Sequence, residues 1–171
     1  MLLLILIIYL VLVFSIQTSI LGLVSVSGVT PDLALIFVVY CGIHFQRNTG
    51  VGVGFLVGLL QDFLSGRLLG VNTLSKSLIG FFFSTLKEKF MVKGPIPICF
   101  FLVTASLADA FVYYFSMVSL LKARISGDFL FPSLFIYLIY NALAGLLLFY
   151  VLDKNLRWII KMFPNKILLP Q

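Results

Sequence analysis

Apolar residues occur in long blocks along this chain, each closed by a short stretch of polar or turn-forming residues. A helix that crosses a bilayer needs about 20 mostly apolar residues. Six blocks meet or approach that length: about residues 2–24, 31–45, 49–64, 68–86, 96–121 and 129–152. The breaks between them have physical causes. Ser25 to Pro31 is rich in helix stops, and Pro31 suits the first turn of the next helix. Gln46-Arg47-Asn48 closes the second block, and Ser65-Gly66-Arg67 makes a tight turn after the third. Lys87-Glu88-Lys89 through Lys93-Gly94-Pro95 is the most polar interior loop. Residues 153–171 read as a basic amphipathic tail carrying Trp158, suited to lying in the membrane interface.

This patterning predicts an all-α integral membrane protein: one polytopic domain over residues 1–171, built as a six-transmembrane-helix bundle. The second and third spans cover only about 24 Å each at about 1.5 Å per residue, less than the roughly 30 Å hydrocarbon thickness. They form either a thin, protein-packed hairpin or a re-entrant pair. Composition points the same way, with 61% hydrophobic and only 11% charged residues among 171. That is far more apolar surface than a soluble domain of this size hides. The apolar start lacks a basic n-region and outruns a signal-peptide core, so it reads as a retained first span.

Twelve Lys/Arg against six Asp/Glu give a net charge of +6. With the N-terminus inside, the cytoplasmic segments carry Arg47, Lys87, Lys89, Lys93, Lys154, Arg157, Lys161 and Lys166, and the outer loops only Arg67, Lys122 and Arg124. The asymmetry predicts a multi-pass protein of the cell membrane with both termini cytoplasmic. The same cations face membrane lipids and do not form a nucleic-acid stripe.

Polar groups inside spans are costly and must find partners. Gly50, Gly54 and Gly58 recur every four residues and lead to Asp62, making a ridge along which another helix can approach closely. Asn72, Lys76 and Gly80 repeat that interval on the fourth span. Either Asp62, Arg67, Asn72 and Lys76 form a charged knot near the outer leaflet, or Lys76 snorkels while Asp62 caps the turn through backbone amides. Asp109 sits near mid-depth in the fifth span and Asn141 in the sixth; Lys76 or Asn141 is the nearest partner of Asp109 by depth.

Cys41 and Cys99 read as packing residues, and the single histidine, His44, as an interfacial cap; no metal cluster or cofactor is expected. Gly50 to Gly54 lacks the Lys-Ser/Thr of a phosphate loop. No set of nucleophile, base and orienter is available, so an enzyme is not expected.

The central stretch resembles the MreD family of bacterial rod shape-determining membrane proteins. The residues that carry the resemblance are Pro31-Asp32-Leu33, Gly50, Gly54-Phe55, Gly58-Leu59-Leu60, Asp62, Gly66, Leu69-Gly70 and Asn72. The resemblance implies a non-enzymatic subunit of the cell-elongation machinery that maintains rod shape by scaffolding lateral peptidoglycan synthesis. Its implied partners are an MreC-like bitopic protein, a RodA-type synthase with a class B penicillin-binding protein, and an MreB-type cytoskeletal filament. It also implies a fold similar to the substrate-binding subunits of energy-coupling-factor transporters. Gly50, Gly54, Phe55, Gly58, Gly66 and Gly70 become helix-packing or partner-contact candidates. Asp62, Arg67, Asn72, Lys76, Asp109 and Asn141 are the buried polar candidates, of which the family assigns neither Lys76 nor Asp109. Two rival readings remain: a substrate-binding subunit of a vitamin-type transporter, with an outward cavity near Asp62, Asn72 and Lys76, and an ion carrier centred on Asp109.

Overall fold

The computed structural model describes residues 2–19, 25–65, 69–87, 94–122 and 127–162. Within them the chain forms six helices: α1 (Leu2–Ser19), α2 (Leu33–His44), α3 (Arg47–Ser65), α4 (Val71–Leu86), α5 (Pro95–Leu121) and α6 (Gly127–Met162). No strand occurs among the described residues. Val26 and Val29 exchange backbone hydrogen bonds of 3.1 and 2.9 Å around Ser27 (φ 52°) and Gly28 (φ 76°). Positive φ at both central residues is the pattern of a type I′ turn, and it reverses the chain between α1 and α2.

The core is built around α2. Residues 33–42 are all buried, because α1, α3, α4, α5 and α6 each pack on this helix. A helix that is apolar all round needs cover on every side, and here protein supplies it. Its 12 residues rise only about 18 Å, so α2 is too short to cross the hydrocarbon region alone. The expected start at Pro31 moves inward: α2 begins at Leu33, with Asp32 as N-cap accepting the Leu35 N–H at 2.9 Å.

The most intimate pair is α3 with α4. A Cβ added at Gly54 would lie 2.3 Å from the Lys76 carbonyl oxygen, and one at Gly58 only 2.4 Å from that of Asn72. Gly80 answers from the other side, at 2.3 Å from the Gly50 carbonyl oxygen. These backbones touch because no side chain separates them.

The segments Pro95–Ser119 of α5 and Phe131–Arg157 of α6 are long and apolar enough to cross a membrane. The tail expected from residue 153 does not begin with a break: α6 continues through Asp153 to Met162. Polarity is inverted relative to a soluble protein. Phe63, Phe111 and Phe131 are 67%, 71% and 77% exposed, while Asp62, Lys76 and Asn141 are fully buried.

Candidate functional site

Two polar centres lie inside the bundle, joined by one asparagine. The first is Asp62, near the end of α3. Its carboxylate accepts the backbone N–H groups of Gly70 (2.9 Å), Asn72 (3.1 Å) and Thr73 (3.0 Å). It also accepts the Asn72 side-chain amide at 3.0 Å and the Thr73 hydroxyl at 2.6 Å. The opening amides of a helix have no intrahelical partner and carry the positive end of its dipole. Asp62 therefore caps α4 from the neighbouring helix. Gly70 adopts φ 97°, which lets the chain turn sharply enough to present those amides; its missing side chain leaves open space and makes no helix contact.

The second centre is Lys76, whose ammonium is completely buried. Nζ lies 3.0 Å from Asp32 Oδ2 and 3.4 Å from Asp109 Oδ1, and donates to Asn72 Oδ1 at 3.2 Å. All three ammonium protons thus have acceptors. Asp109 also accepts from the Ser75 hydroxyl (2.6 Å) and the Tyr137 hydroxyl (3.0 Å). Asp32 also accepts from Gln61 Nε2 at 3.1 Å and from Gln17 Nε2 at 3.5 Å. Gln17 Oε1 in turn accepts the Ala34 N–H at 3.1 Å, fastening α1 to the start of α2. Asn141 accepts the Asp32 N–H at 2.8 Å and donates to Ser106 Oγ at 2.9 Å. The network ties together α1, α2, α3, α4, α5 and α6.

Of the two arrangements open for Asp62 and Lys76, the structure takes part of each. Asp62 caps through backbone amides, and Lys76 does not snorkel. The two charges meet only through Asn72, which donates to Asp62 and accepts from Lys76. Arg67 and Gly66 lie outside the described residues. Of the two depth-matched partners of Asp109, Lys76 is the one that reaches it, while Asn141 holds the α2 N-terminus. Phe55 is exposed on α3.

Sequence reading missed Asp32 as the second counter-ion, and also Gln17, Gln61, Ser75, Ser106 and Tyr137. Two of them left a signal. Gln17 is the one side-chain amide in α1, whose other polar side chains are hydroxyls. Gln61 adjoins Asp62, and successive helical residues point about 100° apart, so the two had to serve different neighbours.

At the other end of the bundle, His44 Nε2 lies 3.3 Å from Asp153 Oδ1. The His44 ring stacks on Tyr40 with centroids 4.1 Å apart, and Lys87 donates to the Phe45 carbonyl. Cys41 and Cys99 are free thiols. Among the described residues no group of three His, Cys, Asp or Glu could hold a metal ion.

A cavity of about 300 Å³ opens beside the second centre, at the end of the bundle that carries the 26–29 turn. Asp32, Asp109, Gln61 and Tyr137 form part of its wall.

Asp62→Ala removes the acceptor for five donors at once. Hydrogen bonds to charged groups contribute about 1.5–3 kcal/mol each, and donors left unmet add their own cost. The expected result is a loss of at least about 3 kcal/mol, read by denaturant titration of the detergent-solubilised protein. Amide hydrogen exchange at Asn72 and Thr73 should quicken before the rest of α4; unchanged protection there would refute the cap.

Among the described residues, an apolar exterior around a buried charged interior, with two helices long and apolar enough to cross a membrane, defines an all-helical protein of the membrane-associated class. The chain belongs to the MreD family: the model for rod shape-determining protein MreD matches residues 1–159. Its role accordingly lies in rod shape determination, within the rod-shape (mre) system. No curated protein and no solved structure matches the chain.

Proposed function

We propose that this protein is a non-enzymatic, six-span subunit of the elongation machinery, one that scaffolds lateral peptidoglycan synthesis. The observation that carries this reading is the inverted polarity of a chain whose family acts in rod shape. Large apolar side chains line the outer faces of α3, α4, α5 and α6, where lipid or the spans of other proteins can meet them. The buried charges are engaged with one another and with backbone amides, an arrangement that holds helices in place. Both termini lie in the cytoplasm in this reading, with the basic segments facing the filament side. The partners are an MreC-like bitopic protein, a RodA-type synthase with its class B penicillin-binding protein, and an MreB-type filament.

Purification of the tagged chain in mild detergent, with mass spectrometry of what co-elutes, tests the proposal. An MreC-like protein and the synthase pair are expected at near-stoichiometric yield. Elution of the folded protein without any of them would overturn it, and so would rod-shaped growth of cells lacking the gene.

A further inference from the structure

The cavity beside Lys76 has a composition that selects its occupant. Its charged wall residues are Asp32 and Asp109, and none of the described residues that line it is basic. Lys76 stands behind this wall with no exposed surface. One buried ammonium faces two carboxylates, so the centre carries an excess of one negative charge on the cavity side. Such a surface repels anions and attracts a monocation, the more strongly because the low-dielectric surroundings screen it poorly.

Two further features narrow the chemistry. Gln61 lines the cavity, and its Oε1 is buried without a hydrogen-bond partner. A buried acceptor left unmade is costly, and an incoming N–H satisfies it. Tyr113, Tyr114 and Tyr137 also line the space, so ring faces are at hand for a cation. A volume near 300 Å³ is at the small end of ligand pockets. We propose that this cavity binds a small solute through a primary ammonium group, held between Asp32, Asp109 and the free oxygen of Gln61. The site is independent of the scaffolding role and stands or falls separately from it.

The test uses the full chain in nanodiscs of zwitterionic lipid, titrated calorimetrically with four-carbon probes of matched shape. Saturable binding is expected for 4-amino-1-butanol, with affinity at least about tenfold above that for 1,4-butanediol and no binding of 4-hydroxybutyrate. Choline, which has no N–H, should bind more weakly than the primary amine. Ala110→Leu places bulk into the cavity wall, and Gln61→Leu removes the unmet acceptor. Each is expected to lower amine affinity about tenfold or more; Ala110→Leu should melt within a few degrees of the parent, whereas Gln61→Leu also loses the Nε2 donor to Asp32 and should melt lower while still folding. Equal binding of the diol or the anion would overturn the proposal. So would the absence of saturable amine binding at millimolar concentration in the parent protein, or undiminished amine affinity in both folded variants. Should one variant fail to fold, the probe series in the parent protein and the other variant still decide.

Discussion

Lys76→Met is expected to destabilise the protein by about 3–5 kcal/mol, the range found when one partner of a buried ion pair is removed. Methionine fills most of the space, so packing contributes little to the loss. What remains is two carboxylates, Asp32 and Asp109, that shared one counter-charge at 3.0 and 3.4 Å. Asn72 also loses a donor to its Oδ1. The protein's response should distinguish charge from shape. Lys76→Met combined with Asp109→Asn removes one of the stranded charges and should recover about half of the loss, because the remaining carboxylate keeps its Gln61 and Leu35 donors. Denaturant titration in detergent, run as a double-mutant cycle, measures the coupling. A loss in the double variant equal to the sum of the two single-variant losses would show that Lys76 and Asp109 do not stabilise one another.

Gly58→Leu is expected to have the second large effect, through sterics alone. The Cβ would stand 2.4 Å from the Asn72 carbonyl oxygen and 2.5 Å from Thr73 Cα. Both are backbone atoms at the start of α4, and neither can rotate away. Forcing extra carbons into a packed interior costs about 1–3 kcal/mol even where side chains can shift; here a helix must move, and the loss should exceed about 3 kcal/mol. The displacement falls on Asn72, so the Asp62 cap and the Lys76 centre should loosen together. Gly52→Leu is the matched control, since a Cβ there meets nothing within 4 Å. Melting of the two variants in detergent should separate them clearly, and co-purification of partners should fail for Gly58→Leu only. Equal stability of the two would refute the close α3–α4 contact.

Much of this architecture is legible in the order of the residues alone. The apolar blocks gave the number and order of the helices, because a long unbroken apolar stretch between turn residues has few other structures open to it. The four-residue recurrence of Gly54, Gly58 and Asp62 lay on one helix face by geometry alone. Position along a helix is also a local property, set by about 1.5 Å per residue, and so Lys76 and Asn141 could both be named as candidates for Asp109, a choice that only the structure made. The ends of α2 were harder. Pro31 fits a helix start, but Asp32 gains more by capping the helix and presenting its carboxylate to Lys76. The continuation of α6 past Asp153 was hidden for a related reason. Asp153, Lys154 and Arg157 interrupt the apolar pattern, yet they are compatible with a helix.

What the sequence determined alone is the apolar surroundings and the local order: which stretches are helical, how far along its helix each polar residue lies, and that the buried charges require partners. Only the tertiary structure decided the rotation of each helix about its axis and the choice of neighbours. That choice brings Gln17, Asp32, Asn72 and Asp109 from different helices to one ammonium or its counter-ion. Position along a helix follows from the spacing of residues in one chain segment, whereas rotation is a balance among several helix contacts at once. No single segment carries that balance in its own pattern.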